Sequence, residues 1–316
     1  MARIGRWGAA EFERWSAAME RALYGPAGFY RRELPGDHFA TSAQTPAFAE
    51  AVARLADETH ERLGRPEAFA VVDVGAGGGD LLAHLAGLLD ERFRLVAVEL
   101  RPRPEDLPER IEWRRDPPQE VEGLLIACEL LDNVPCDVAV VDHDGALRYE
   151  EVDIEGATRL GDRLEAADEA WLAEWWPIAE PGERAEIGRP REAVWRNLAN
   201  RLVRGSALAV DYGHVKTNRP EGGTMTGFKD GRCTDPVPDG TCDLTAHVAV
   251  DAIGSDCLER QREALLELGV RATRPPLEQA YKDPLAYATA LANAGAAARL
   301  TDESGLGAHW WLRTDR

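Results

Sequence analysis

The chain has 316 residues, 44% hydrophobic and 29% charged, enough for one large α/β domain with insertions or for two smaller domains. A formal charge of −19 argues against a general nucleic-acid binder, which needs a basic face, and is compatible with a basic protein partner. The five cysteines (Cys128, Cys136, Cys233, Cys242, Cys257) include no C-x-x-C pair and read as reduced thiols of a cytoplasmic protein without a metal site.

Met1-Ala2-Arg3 opens the chain without an apolar core of signal-peptide length. No run approaches the ~20 apolar residues of a membrane span. Phe12, Trp15, Met19 and Leu23 share one face of a helix over 9–23. A turn-rich stretch follows (Gly25-Pro26, Gly28-Phe29-Tyr30), then Gly36-Asp37-His38-Phe39-Ala40-Thr41-Ser42. A second helical pattern occupies 44–63, so 1–66 is expected to form a helical lid before the core.

Phe69 to Glu99 reads as strand, glycine loop, helix, strand. An apolar run ends in Asp73-Val74, the loop is Gly75-Ala76-Gly77-Gly78-Gly79, leucines follow at helical spacing, and a second apolar run closes on Glu99. Glycines at such a turn let a ligand meet bare backbone N–H groups at a helix N-terminus. Glu99 stands where an acid accepts hydrogen bonds from ribose hydroxyls. A dinucleotide binder wants a third glycine three residues after the second, and that position is Asp80. Asp73, two residues ahead of the glycines, suits a cationic ligand.

Further along, Ile111 to Trp113 is a short strand ending at Asp116-Pro117-Pro118, and Leu124 to Cys128 is a buried strand closing on Glu129-Leu130-Leu131-Asp132-Asn133-Val134-Pro135. In a doubly wound sheet, ligands lie beyond the carboxyl ends of the strands, so Glu129 and Asp132 are candidates to clamp a cationic or hydroxylated acceptor. Helix capping is the plainer reading of the pair. Alternation over 137–153 around Asp144-Gly145 predicts a hairpin, and the acidic, tryptophan-bearing stretch 163–180 predicts an inserted helix. A helix over 190–203, a buried strand from Ser206 to Val210 and a long irregular stretch from His214 to Asp243 come next. The pattern closes with helices at 255–268 and 284–299, a β-like piece between them, and a strand from His309 to Leu312.

Asp73 to Gly79 with its following acid resembles the first motif of class I S-adenosylmethionine (SAM) methyltransferases. Six ordered segments together resemble the MidA-like methyltransferases, whose mitochondrial member is an assembly factor of respiratory complex I. They are Phe12 to Tyr30; Asp37, Phe39, Thr41 and Ser42; the glycine loop; Glu129 to Pro135; Asp211-Tyr212-Gly213 with Gly223-Thr224; and Asp243-Leu244-Thr245-Ala246-His247-Val248. Cys128 stands where the family has an asparagine, and Thr226 where an arginine is common.

The resemblance implies an α/β class I (Rossmann-like) fold with a mostly parallel seven-stranded sheet, a helical N-terminal extension and insertions. The core is then 67–136 with 190–316, and 137–189 is an insertion. It implies SAM as cofactor, held by Asp73, Gly75, Gly77, Gly79, Glu99, Asp116, Thr41 and Ser42. Glu129, Asp132 and His247 are the catalytic candidates, with His247 as proton acceptor or, equally, a structural histidine. The reaction implied is methyl transfer to a protein side chain, an arginine nitrogen in the mitochondrial relative, with a respiratory-complex subunit as a candidate substrate. A small-molecule acceptor and a SAM-binding assembly role with little turnover are the alternatives, and apolar surface on the lid and insertion leaves room for a homodimer.

Overall fold

The apolar runs of the sequence become neighbouring strands of one seven-stranded sheet in the computed structural model, which describes residues 11–33 and 41–316. The expectations at Met1-Ala2-Arg3, Asp37 and Phe39 fall outside the described residues. In chain order the strands are β1 (Phe69–Val74), β2 (Phe93–Val98), β3 (Ile111–Arg114), β4 (Val121–Cys128), β5 (Leu202–Asp211), β6 (Cys257–Arg260) and β7 (Trp310–Asp315). Their spatial order is β6-β7-β5-β4-β1-β2-β3. Neighbours from β5 to β3 run parallel, while β7 is antiparallel to both β5 and β6.

The strands read as continuous apolar runs because both faces are covered. Residues alternate between the faces. Val71, Leu95, Leu124, Ile126 and Leu208 pack under Phe48, Val52 and Leu55 of helix α1 (Pro46–Arg62) and Leu81, Leu82 and Leu85 of helix α2 (Asp80–Leu88). Val72, Val96, Leu125 and Ala209 pack on the other side with Trp195 and Leu198 of helix α3 (Arg189–Ala199). Thr45 caps α1 by accepting the Phe48 amide at 3.3 Å, and Pro46 begins it, where a missing N–H costs nothing.

Gly123 and Gly205 sit in one row with Ala70 across β1, β4 and β5. A Cβ on Gly123 would lie 2.0 Å from the Ala70 carbonyl oxygen, and one on Gly205 would lie 1.9 Å from that of Gly123. With φ of +147° and +131°, only glycine lets these strands close up there.

The chain groups into two compact units. The sheet unit holds the described part of 34–134 together with 191–218 and 247–316, so α1 belongs to it. The other unit gathers 11–33, 135–190 and 219–246. Its hairpin pairs Val138–Val141 with Leu147–Val152 around a turn in which Asp142 accepts the amides of Asp144 and Ala146, each at 2.9 Å. Thr158–Arg163, Arg184–Glu186 and Glu13–Arg14 extend that sheet. Trp15, Met19, Leu23 and Phe29 are buried against Val138 and Val152. The stretch 214–243 is not wholly irregular, for Thr226–Lys229 pairs with Arg232–Thr234 and with Asp243–Thr245.

Two expectations are corrected. The helix over 255–268 begins as a strand, β6, and is helical only over Gln261–Glu267. The piece expected as β between that helix and the next is not a strand; it leads into a short helix, Leu277–Lys282.

Candidate functional site

The order of the sheet reverses between β1 and β4, since β2 and β3 lie to one side and β5 to the other. Such a switch opens a crevice at the carboxyl ends of the two strands. The glycine loop follows β1, the Glu129 segment follows β4 and Asp211 ends β5, so the three motifs converge there.

The loop is held by its own backbone. The Val98 carbonyl accepts the amides of Gly75 and Ala76 at 2.9 and 3.2 Å, and Ala76 accepts that of Gly79 at 2.7 Å. Gly75, Gly77 and Gly79 all have positive φ (77°, 58°, 82°). Their surroundings differ. A Cβ on Gly79 would strike Leu107 and Trp113, and one on Gly75 would lie 2.9 Å from Leu130, so the loop lies directly against the Glu129 segment. A Cβ on Gly77 would meet none of the described residues within 4 Å. The Gly77 amide donates to Glu99 Oε2 at 2.9 Å, and Glu99 Oε1 accepts the amides of Leu100 and Arg101 at 2.8 and 3.1 Å. Asp73 is buried, and burial, then Glu99 and Asp80, push its carboxyl up to about 7.

Glu129 occupies the left-handed region with φ of +52°, a conformation rare for a residue with a side chain and frequent at functional sites. Its amide donates to Val210 at 2.7 Å, tying the end of β4 to β5. Its Oε1 accepts the Ser42 amide at 3.0 Å. Burial pushes the carboxyl up to about 8 against that hydrogen bond, and Asp132 adds to the rise. Asp132 is buried in the following turn. Asp211, fully buried, accepts the amides of Leu131 and Asp132 through Oδ2 at 2.8 and 3.3 Å and that of Tyr212 through Oδ1 at 3.0 Å. Its carboxyl is raised well above the usual range by burial and then by Asp132 and Glu129. Burial also raises the Cys128 thiol, and Glu129, Asp73 and Asp211 add to it, so four ionisable groups surround one strand end.

The remaining candidates are placed as follows. Ser42 is buried, and its hydroxyl accepts from Gln261 Nε2 at 3.0 Å, while Gln261 Oε1 accepts from the Trp311 indole at 3.1 Å. The Thr41 amide donates to Gln44 Oε1 at 3.1 Å within a capping box. Asp116 is exposed just past β3. His247 belongs to an aromatic group around Tyr212, with ring centroids 4.9 Å apart at 90°, and His309 packs on the same tyrosine at 5.7 Å. Burial, with His247 alongside, pulls the His309 imidazole down to about 4.

Two residues of the cluster were not among the sequence candidates. Asp211 was visible only as part of a motif. Arg191, buried in the first turn of α3, donates Nη1 to the His247 carbonyl at 2.9 Å and Nη2 to the Asp132 carbonyl at 3.1 Å. No residue spacing pointed to it; its one signal was an arginine just after Pro190 on a helix with a buried face.

Residues 51–267 match the family described as "Putative S-adenosyl-L-methionine-dependent methyltransferase". The chain belongs to this methyltransferase family, and its cofactor is SAM. The methyltransferase is similar over 96% of its length to a Burkholderia thailandensis crystal structure bound to S-adenosyl-homocysteine, with 26% identity, a TM-score of 0.76 and 88% of that chain covered. A second Burkholderia thailandensis crystal structure, of an uncharacterized protein, gives 27% identity and a TM-score of 0.75, covering 96% of this chain and 87% of that one. No curated protein matches the methyltransferase. Among its described residues no helix is long and apolar enough to cross a membrane, and no disulfide joins any of the cysteines.

Proposed function

We propose that this methyltransferase, a class I Rossmann-like enzyme, methylates a protein side chain, an arginine nitrogen by its resemblance to the MidA-like enzymes. The observation that supports the reading is the group of carboxylates at the ends of β4 and β5, where burial and neighbouring Asp132 raise the proton affinity of Glu129 and Asp211. Buried acids that hold protons at neutral pH release them when a fixed cation arrives, and a guanidinium is such a cation with several N–H donors for carboxylates.

The cofactor supplies the methyl group together with its own leaving group. The open space beyond Gly77, the Glu99 carboxylate and the buried Asp73 fit a cationic ligand bearing ribose hydroxyls. We assign that ligand to Asp73, Gly75, Gly77, Gly79 and Glu99, with Asp116 at the edge strand and Thr41-Ser42 near the acids. Glu129 and Asp132 orient the acceptor and concentrate electron density on its attacking nitrogen. His247 takes the proton that this nitrogen sheds. Little further acid–base chemistry is required, so alignment and exclusion of water carry the rate.

The test is incubation of the enzyme with methyl-labelled SAM and a lysate of the parent cell, followed by acid hydrolysis of the protein fraction. Label in methylarginine supports the reading. Label confined to small molecules contradicts it.

A further inference from the structure

Arg191 is 1% exposed, among the most deeply buried side chains of the protein. A guanidinium stays charged at any working pH, so its burial needs a counter-charge or strong acceptors. Both its Nη groups end on main-chain carbonyls, those of His247 and Asp132, and its Nε finds no partner among the described residues. The main chain on both sides of the Asp132 Cα is therefore held. Its carbonyl accepts from Arg191, and its amide donates to Asp211. The charge of Arg191 falls on Asp211, which it pulls toward the ionised form against burial. The other ionisable groups facing Asp211 are Glu129, Asp132 and the Cys128 thiol.

We infer that Arg191 is a positioning residue of methyl transfer: its two arms set the spacing between the Asp132 turn and the His247 segment, and its charge balances the Glu129–Asp132–Asp211 group. The inference rests on the acceptor roles given above to Asp132 and His247. A lysine at this place keeps the charge but has a single head that cannot reproduce the fork. Neutral glutamine keeps neither.

Arg191→Gln and Arg191→Lys separate these contributions. Methyl transfer is followed from labelled SAM to the protein fraction of the parent lysate, S-adenosyl-homocysteine binding by calorimetry, and the Asp211 carboxyl by carbon NMR against pH. Arg191→Gln should slow transfer about a hundredfold, the scale of a misplaced reacting group. It should also raise the Asp211 titration while leaving S-adenosyl-homocysteine affinity within about twofold. Arg191→Lys should keep the Asp211 titration near that of the wild type and still slow transfer about tenfold. An unchanged rate or an unchanged Asp211 titration in Arg191→Gln overturns the inference, as does a loss of cofactor affinity parallel to the loss of rate. Should Arg191→Gln fail to fold, a wild-type rate in Arg191→Lys overturns it. If the wild-type enzyme labels no protein, the acceptor reading fails, and the Asp211 titration still decides the counter-charge role.

Discussion

The backbone amide of Ser42 donates to the side chain of Glu129 at 3.0 Å, joining two segments 87 residues apart in sequence. The bond stabilises the charged form of Glu129, yet burial outweighs it and the carboxyl lies near 8 instead of its ordinary 4.5. The folded protein therefore holds a proton that the unfolded chain releases between those values. Stability from this group is full below pH 4.5 and is lost as pH rises through about 8. Asp73, raised from 3.8 to about 7, acts in the same sense. Glu129→Gln should flatten the fall and raise Tm at pH 8 by about 2–4 °C relative to wild type, with little change at pH 4. Equal slopes of Tm against pH in the two proteins, measured by scanning calorimetry, would refute this.

Gly77 and Gly87 form a controlled pair. Neither would place a Cβ within 4 Å of another group among the described residues, but Gly77 has a φ of +58° and faces the proposed cofactor cradle, whereas Gly87 lies near the end of α2. Gly77→Val should weaken S-adenosyl-homocysteine binding by about a hundredfold or more, through strain and occupation of the cradle. Gly87→Ala should leave the affinity alone and stabilise the fold by about 0.5 kcal/mol. Isothermal calorimetry and chemical unfolding read both. Undiminished binding by Gly77→Val would remove this loop from the cofactor site.

Glu186, buried in the smaller unit, accepts the Thr224 amide at 2.6 Å, the Thr224 hydroxyl at 3.1 Å and the Met225 amide at 2.9 Å. It pins the Gly223-Thr224 motif. Glu186→Ala should lower amide protection at Thr224 and Met225 by about 2 kcal/mol, the worth of hydrogen bonds to a charged acceptor. Hydrogen exchange unchanged at these two amides would show that the segment is held by other means.

What was legible in the sequence follows from how local each signal is. The strand–loop–helix–strand unit at Phe69 to Val98 declared itself because β1, α2 and β2 are consecutive, apolar and punctuated by glycines. Glu129 and Asp132 could be placed because a buried strand leads straight into them. β6 was hidden, since four residues running directly into Gln261–Glu267 carry no separate period from that helix. Thr158–Arg163 was hidden because it is largely exposed and lacks apolar alternation. The grouping of 219–246 with 11–33 rests on contacts between distant segments, such as the Tyr30 hydroxyl donating to Asp243 at 2.8 Å, which no window of sequence contains. Arg191 escaped notice for the same reason: its partners, Asp132 and His247, lie far away on both sides of it in the chain.

The row Ala70–Gly123–Gly205 supplies a prediction about the sheet alone. Gly123→Ala or Gly205→Ala sets a methyl about 2 Å from a backbone oxygen at a positive φ. Each should destabilise the protein by about 3 kcal/mol or leave it unfolded, since backbone cannot step aside as a flexible side chain can. Unfolding midpoints within about 0.5 kcal/mol of wild type would show that the strands are not so closely apposed.

The central claim is that carboxylates at the ends of β4 and β5 serve the acceptor, apart from the loop that serves the cofactor. Its most direct test is to measure methyl transfer and S-adenosyl-homocysteine affinity side by side in wild type, Glu129→Gln and Asp132→Asn. The account predicts that both variants bind S-adenosyl-homocysteine within about threefold of wild type and transfer methyl to protein about a hundredfold more slowly. Transfer at the wild-type rate by both variants would contradict it.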